Sequence, residues 1–393
     1  MLGILRHLRI SHITAGFIAV LVGYSSSVAI IFQAASAVGA SAAELNSWMW
    51  ALGIGMGVTC IALSFAWRQP VLTAWSTPGG ALLVTSLAGL SMGEAVGAFL
   101  FSAVLITLSG LTGWFRRIMD WVPPSLAAAM LAGILAVFGM RIFTSLETDW
   151  ALTGLMFLGF FVLRQLAPRY AVPATLALGM LWCALHGMLA FEMLDWTPAR
   201  PVFMAPEFSL TAMIGVGLPL FIVTMTSQNI PGLAVLRANG YPVPASPLIS
   251  WTGVTSLILA PFGGFAFNLA AITAAICMSD DAGHDRHWRW LASVWAGIFY
   301  LLTGIFGATV VSLFLAFPAE LVATIAGLAL LGTIAQGLSA ALEHPAERDA
   351  ALVTFLTTAS GMSLLGIGSA FWGLLLGMLV WQLGHARRHR QPA

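Results

Sequence analysis

The sequence predicts an all-α polytopic membrane protein: fourteen transmembrane segments in two inverted seven-span repeats, with half-helices at spans 3 and 10. Three observations carry that expectation. The 393 residues are 59% hydrophobic and only 8% charged, whereas soluble domains carry roughly 25% charged residues. The basic residues fall unevenly between alternate loops. Two Pro/Gly interruptions, Trp75-Ser76-Thr77-Pro78-Gly79-Gly80 and Pro261-Phe262-Gly263-Gly264-Phe265-Ala266-Phe267-Asn268, stand at matching places in the two halves.

Apolar runs of roughly 17–25 residues, the length a bilayer demands, start near Ile13, Ser47, Val71, Glu94, Pro123, Ala151 and Ala171 in the first half. In the second half they start near Thr211, Ser246, Gly263, Trp288, Pro318, Ala350 and Gly368. The N-terminal Arg6, His7 and Arg9 run into a first span that simply continues, without the pattern of a cleavable signal peptide. All 16 basic residues are arginine. With the N-terminus inside, Arg6, Arg9, Arg68, Arg116, Arg117, Arg164, Arg169, Arg237, Arg286, Arg289, Arg348, Arg387, Arg388 and Arg390 are cytoplasmic, and only Arg141 and Arg200 fall outside. The positive-inside rule supports this count, with both termini cytoplasmic.

The halves are faintly similar. Val22 to Ser27 aligns with Val223 to Gln228 without a gap, and Pro124-Ser125-Leu126 before Gly133 matches Pro318-Ala319-Glu320 before Gly327. Seven spans per half is an odd number, so the second half enters the membrane from the opposite side. Paired Pro/Gly breaks in two halves are the best sequence pointer to a secondary transporter's substrate site, because unpaired backbone at membrane depth is tolerated where it lines a cavity.

The chain is similar to the uracil and xanthine permeases and related anion transporters in this organisation, and more narrowly resembles the benzoate–proton symporter family over nearly its whole length. The motifs are Ala15-Gly16-Phe17 with Val22-Gly23-Tyr24-Ser25-Ser26, then Pro70-Val71-Leu72-Thr73-Ala74-Trp75-Ser76-Thr77-Pro78-Gly79. They continue with Leu218-Pro219-Leu220-Phe221, Ser227-Gln228-Asn229, Ala260-Pro261-Phe262-Gly263, Ala270 to Cys277, and Gly366 to Gly373. The resemblance implies a substrate-carrying core of residues 13–119 and 209–316 (spans 1–4 and 8–11). It also implies a gate or scaffold of residues 120–208 and 317–384 (spans 5–7 and 12–14). Proton-coupled uptake of benzoate or a similar aromatic monocarboxylate across a bacterial inner membrane is what it implies for function.

The residues themselves point to a small anion. Half-helices at spans 3 and 10 would bring two N-termini together, and each offers free N–H groups and about half a positive charge to a carboxylate. Ser76 and Thr77 add hydroxyls, and Pro78, Gly79, Gly80 and Gly264 shape a backbone that a ligand can approach. Gln228 and Asn229, amides inside an apolar run, are expected to face a cavity or other helices because uncompensated amides in lipid cost several kcal/mol. Where uracil-type permeases bear carboxylates, this chain has Gln228 and Asn268. That departure disfavours a nucleobase and suits an anion, which a fixed carboxylate would repel. Tyr24, Phe265 and Phe267 are candidates to pack on an aromatic ring. Ser25, Ser26 and Ser27 either line the site or bond carbonyls on their own helix. Gln33 and Gln336 read as interhelical contacts.

Most of the 15 carboxylates fall in loops. Glu94 and Glu320, at outer ends of spans 4 and 12, could reach the membrane, and Glu94 is the proton-coupling candidate. His12 and His186 are weaker ones. A weak acid with a carboxyl pKa of about 4 could also carry the proton itself. No catalytic, nucleotide-binding or disulfide pattern is present, so neither an enzyme nor a cofactor is expected. The His284-Asp285-Arg286-His287 loop reads as solvated rather than metal-binding, and net charge +1 argues against nucleic acid. Partners are therefore the carboxylate, protons and lipid. Ala127-Ala128-Ala129 and Gly327 leave room for close helix packing or a homodimer. The rivals are a channel or uniporter for small organic anions, and a nucleobase-type permease. A receptor or scaffold would need an extramembrane domain, for which the loops are too short.

Overall fold

The computed structural model describes residues 9–113, 123–189, 197–365 and 367–388. Expectations placed on Arg6, His7, Arg116, Arg117, Asp120, Glu192, Asp195, Gly366 and Arg390 lie outside the described residues. In chain order the first half holds α1 (Ile10–Ala37), α2 (Ala42–Trp67), strand β1 (Thr73–Trp75), α3 (Thr77–Ser86), α4 (Met92–Thr112), α5 (Pro124–Thr148), α6 (Trp150–Leu166) and α7 (Ala171–Leu185). The second holds α8 (Leu210–Arg237), α9 (Ala245–Phe262), β2 (Phe267–Leu269), α10 (Ile272–Met278), α11 (Trp290–Ile305), α12 (Gly307–Leu315), α13 (Ala319–Ala341), α14 (Arg348–Ala359) and α15 (Ser369–Arg388). Among the described residues seven helices, α1, α2, α4, α5, α8, α9 and α13, are long and apolar enough to cross a membrane. The protein is a mostly helical, polytopic membrane protein.

Local sequence sets the helix ends. Ser41 and Glu44 form a reciprocal capping box at the start of α2, and Ser91 and Glu94 form another on α4; each pair satisfies two N–H groups that a helix start leaves orphaned. α2 stops where Arg68 turns left-handed (φ 51°), just before Pro70. The chain then runs extended through β1 instead of continuing the apolar run as helix.

β1 and β2 pair antiparallel, with Thr73 opposite Leu269, Ala74 opposite Asn268 and Trp75 opposite Phe267. This pairing corrects one expectation: span 10 does not begin as helix near Gly263. Gly263 is left-handed (φ 90°), residues 267–269 are strand, and helix starts only at Ile272. The residues in between are needed to make the crossing. Backbone groups in a two-stranded crossing still need partners, and the neighbouring spans supply them. Thr73 N–H meets Cys60 Sγ (3.2 Å), Trp75 N–H meets Met56 Sδ (3.2 Å), Phe267 N–H donates to Ser256 Oγ (3.0 Å) and Leu269 N–H donates to Asn229 Oδ1 (3.0 Å).

α8 is interrupted by two wide turns, Met213–Gly217 and Met225–Asn229. Each lies just before a proline, Pro219 and Pro231. A proline lacks the N–H and its ring crowds the carbonyl four residues back, here Gly215 and Ser227, both inside the wide turns. One extra residue per turn relieves the clash.

Helix packing relies on small residues. At Gly53 and Gly57 of α2 the α11 backbone passes too close for a Cβ, facing Gly304 and Gly297. α4 and α9 approach similarly through Gly110 and Gly253. The contacts recur in pairs: α2 packs on α11 and α4 on α9, α6 on α7 and α14 on α15, α5 on α14 and α6 on α13. Gly327, expected to serve close packing or a dimer, packs within this chain against the Phe138 carbonyl, and Ala127 and Ala129 are buried in it.

Candidate functional site

A cavity of about 420 Å³ opens where β1 and β2 cross, within the roughly 300–1,000 Å³ of small-molecule pockets. One side is built by α1 (Gly23, Ser26, Ser27), by Trp75, Thr77 and Pro78, and by Tyr300 of α11. The residues entering α10, Ala270, Ala271 and Thr273, and Gln228 of α8 complete that side. The remaining wall is apolar except for Thr333 and comes from distant sequence: Leu135 of α5, Val172 of α7, and Ala329, Leu330 and Thr333 of α13.

The polar lining includes Thr77, Thr273 and Gln228. Thr77 is the first residue of α3 and Pro78, the second, has no N–H. Ser76 caps the third, accepting from Gly79 N–H at 3.0 Å, so the Thr77 N–H and hydroxyl are the donors this helix start presents. α10 has no side-chain cap, and Thr273 faces the cavity from its first turn. Gln228 contributes an amide from the second wide turn of α8. Around these donors lie flat apolar surfaces. Trp75 donates its indole N–H to Ser27 Oγ (2.9 Å) and takes Tyr24 edge-on at 4.8 Å between centroids. Among the described lining residues none is an aspartate, glutamate or histidine, and Tyr300 alone carries a titratable group.

Of the site residues expected from sequence, Thr77, Pro78 and Gln228 line the cavity. The others stand behind it. Ser76 is fully buried and receives the Thr224 hydroxyl (3.0 Å). A Cβ at Gly79 would meet Leu220 and Ser76, and one at Gly80 would meet Ile31, so these glycines admit neighbouring helices rather than a ligand. Gly264 likewise faces Leu259. Ser25 bonds the Val22 carbonyl and does not reach the cavity; Ser26 and Ser27 both bond the Gly23 carbonyl and line it. Tyr24 does not line the cavity but stands behind two residues that do, Trp75 and Tyr300, at 4.8 and 6.1 Å between ring centroids.

Phe265 and Phe267 are corrections. Phe265 is fully buried against Trp48 and Phe99, at 5.8 and 5.5 Å between centroids. Phe267 fills the space left by Gly55, where a Cβ would collide with its ring. Trp75 and Phe267 are directly paired across the strands, but only Trp75 borders the cavity, the Phe267 ring being taken up by the recess at Gly55. Asn229 is turned away too, its Oδ1 taken by Leu269 N–H and its Nδ2 by Met225 Sδ (3.1 Å). Asn268 is buried and donates to the Ala266 carbonyl (2.9 Å).

Glu94 stands apart from the cavity. Its carboxylate accepts the Ser91 N–H (3.0 Å) as part of the helix cap, and it does not line the cavity. His186 stacks on Trp182 at an exposed position. Gln33 does bridge helices, and Gln336 is exposed. Among the described residues no group of three or more His, Cys, Asp or Glu could hold a metal ion. Sequence reasoning missed Trp75, Thr273 and Tyr300 as lining residues. Trp75 and Thr273 sat inside conspicuous motifs; Tyr300, one of only 4 tyrosines, was marked by its rarity in mid-span.

The chain is similar to known membrane proteins in sequence and in fold. Residues 6–383 match the family model described as benzoate membrane transport protein. The chain is 51% identical over 363 residues to the inner membrane protein YdcO of Escherichia coli (strain K12), covering 92% of this chain and 93% of that one. It is 43% identical over 367 residues to the benzoate membrane transport protein of Acinetobacter baylyi, covering 93% of each. In fold it is similar to the transmembrane domain of a cyanobacterial bicarbonate transporter, BicA, at a TM-score of 0.59, 14% identity and 96% and 97% coverage.

Proposed function

The chain belongs to the benzoate membrane transport protein family, and from that premise we propose that it takes up benzoate or a similar aromatic monocarboxylate together with a proton across a bacterial inner membrane. It is a membrane transporter and not an enzyme. The observation that carries the substrate reading is the composition of the cavity lining. Thr77, Thr273 and Gln228 supply donors, Trp75, Tyr300, Leu135 and Leu330 supply apolar surface, and among the described lining residues no carboxylate opposes an anion. A benzoate would point its carboxylate at the start of α3 and lay its ring between Trp75 and the α5–α13 wall.

The pairwise recurrence of helix contacts supports a fourteen-span architecture of two inverted repeats. Exchanging each span for the one seven places on turns α2–α11 into α4–α9, and α6–α7 into α14–α15. α3 and α10, each entered from one strand of the β1–β2 pair, act as the half-helices. The cavity lies between residues 13–119 and 209–316, the substrate-carrying core, and residues 120–208 and 317–384, the gate. Transport proceeds by movement of the core against the gate. The arginine distribution orients both termini to the cytoplasm.

The proton travels with the substrate. Among the described lining residues there is no carboxylate or histidine to carry it, and Glu94 takes part in its helix cap, so the carboxyl group of the weak acid is the available carrier. The test is uptake of radiolabelled benzoate into proteoliposomes under an imposed inward proton gradient, with and without excess unlabelled uracil. Saturable accumulation that a protonophore abolishes and uracil leaves unchanged is expected. Equilibration without accumulation would instead make the chain a channel or uniporter, and competition by uracil would make it a nucleobase-type permease.

A further inference from the structure

A second cavity, of about 410 Å³, sits at the opposite ends of the same helices. Its walls are Phe32, Gln33 and Ser36 from the C-terminal end of α1, Arg141 from the second half of α5, and Phe317, Val322 and neighbours at the start of α13. Arg141 is one of the two arginines that the positive-inside pattern leaves on the outer face. Its guanidinium donates to Gln33 Oε1 across the α1–α5 boundary and lies 5.6 Å from the centre of the Phe138 ring. Among the described residues no carboxylate pairs with it; Glu320, in the first turn of α13, does not line the cavity.

A guanidinium fork matches a carboxylate bidentately. Here it is held by a neutral amide, which offers a single acceptor oxygen and no opposing charge. The surrounding surfaces, Phe32, Phe317 and Val322, suit an apolar body attached to the anion.

We propose that this cavity is an outer docking site for the incoming monocarboxylate, in which Arg141 exchanges Gln33 for the substrate carboxylate. The exchange also releases the tie between α1, which lines the central cavity through Ser26 and Ser27, and α5, which lines it through Leu135. The proposal rests on reading the chain as an anion carrier, and it gives the outlying arginine a task.

The experiment places a cysteine at Ser36 (Ser36→Cys) in the full-length protein, whose three native cysteines are buried. The membrane-impermeant anionic reagent 2-sulfonatoethyl methanethiosulfonate and its cationic trimethylammonium counterpart are applied from outside. The anionic-to-cationic labelling ratio is expected to fall about tenfold when Arg141→Gln is added, to recover with Arg141→Lys, and to fall with added benzoate. Equal ratios in all three backgrounds, or indifference to benzoate in a protein that transports it, would overturn the proposal. A ratio that depends on Arg141 in a protein that takes up no benzoate would keep the anion site and reject the substrate. Thermal melts of Arg141→Gln guard against a folding defect. In the uptake assay the same variant should raise the outside KM about tenfold, the scale of one charge-assisted hydrogen bond.

Discussion

Thr77 and Gln228 line the cavity, while neighbours that look equally suited to bind, Ser76 and Asn229, do not line it. Thr77 follows Ser76, whose hydroxyl is consumed by the Gly79 N–H and the Thr224 hydroxyl; Gln228 precedes Asn229, whose amide holds β2 through Leu269. Thr77→Val keeps the shape but removes a donor, and a hydrogen bond to a charged group is worth roughly 1.5–3 kcal/mol. Benzoate affinity should therefore fall about 10- to 100-fold with the melting temperature unchanged, as read by uptake KM and thermal melts. Gln228→Glu places a like charge in the cavity and should weaken anion binding at neutral pH; unchanged KM would remove Gln228 from the site. Asn229→Ala should act on stability, because it strands a buried N–H at a cost of about 1–3 kcal/mol, lowering the melting temperature before substrate is added.

The informative elements are the β1–β2 crossing and the broken helix α8. Their positions were legible as Pro/Gly interruptions, but the residues that face the ligand were not. An apolar run reads the same whether it is strand or helix, so Gly264 to Asn268 resembled a helix start when they form the approach to β2 and β2 itself. The wide turn before Pro231 then decides which of two adjacent amides meets the cavity. Gly55 is where α2 makes room for the crossing. Gly55→Val would drive a side chain into Phe267, and overpacking of this kind costs typically 1–3 kcal/mol; loss of both thermal stability and uptake is the expected outcome. Glu94→Gln, by contrast, should retain proton-driven accumulation and cost only part of a helix cap, roughly 0.5–2 kcal/mol. Loss of the protonophore-sensitive component in that variant would return Glu94 to the coupling mechanism.

For the whole molecule, the cavity is lined from two sets of helices, and in the proposed mechanism these sets move against each other. Thr77, Trp75 and Gln228 lie on one side, Leu135, Val172 and Thr333 on the other. Any motion that separates them opens the cavity, and any that approximates them closes it. Because the described lining holds no carboxylate or histidine, the proton gradient should act through the substrate's own carboxyl group. Accumulation at a fixed inside pH should then rise as outside pH falls toward the acid's pKa, a dependence that Tyr24→Phe and Glu94→Gln leave in place.

The sequence by itself determined the membrane class, the order of the apolar segments, the paired interruptions and the absence of acidic residues where a neutral base would need them. These are local properties, legible from hydropathy, charge and single-residue chemistry. Only the tertiary structure decided which residues of each interruption line the cavity, that Phe265 and Phe267 pack behind it, and that Glu94 caps a helix. Those outcomes depend on strand pairing, on an extra residue in one turn of α8, and on a facing wall contributed from more than fifty residues away in sequence, none of which leaves a local mark.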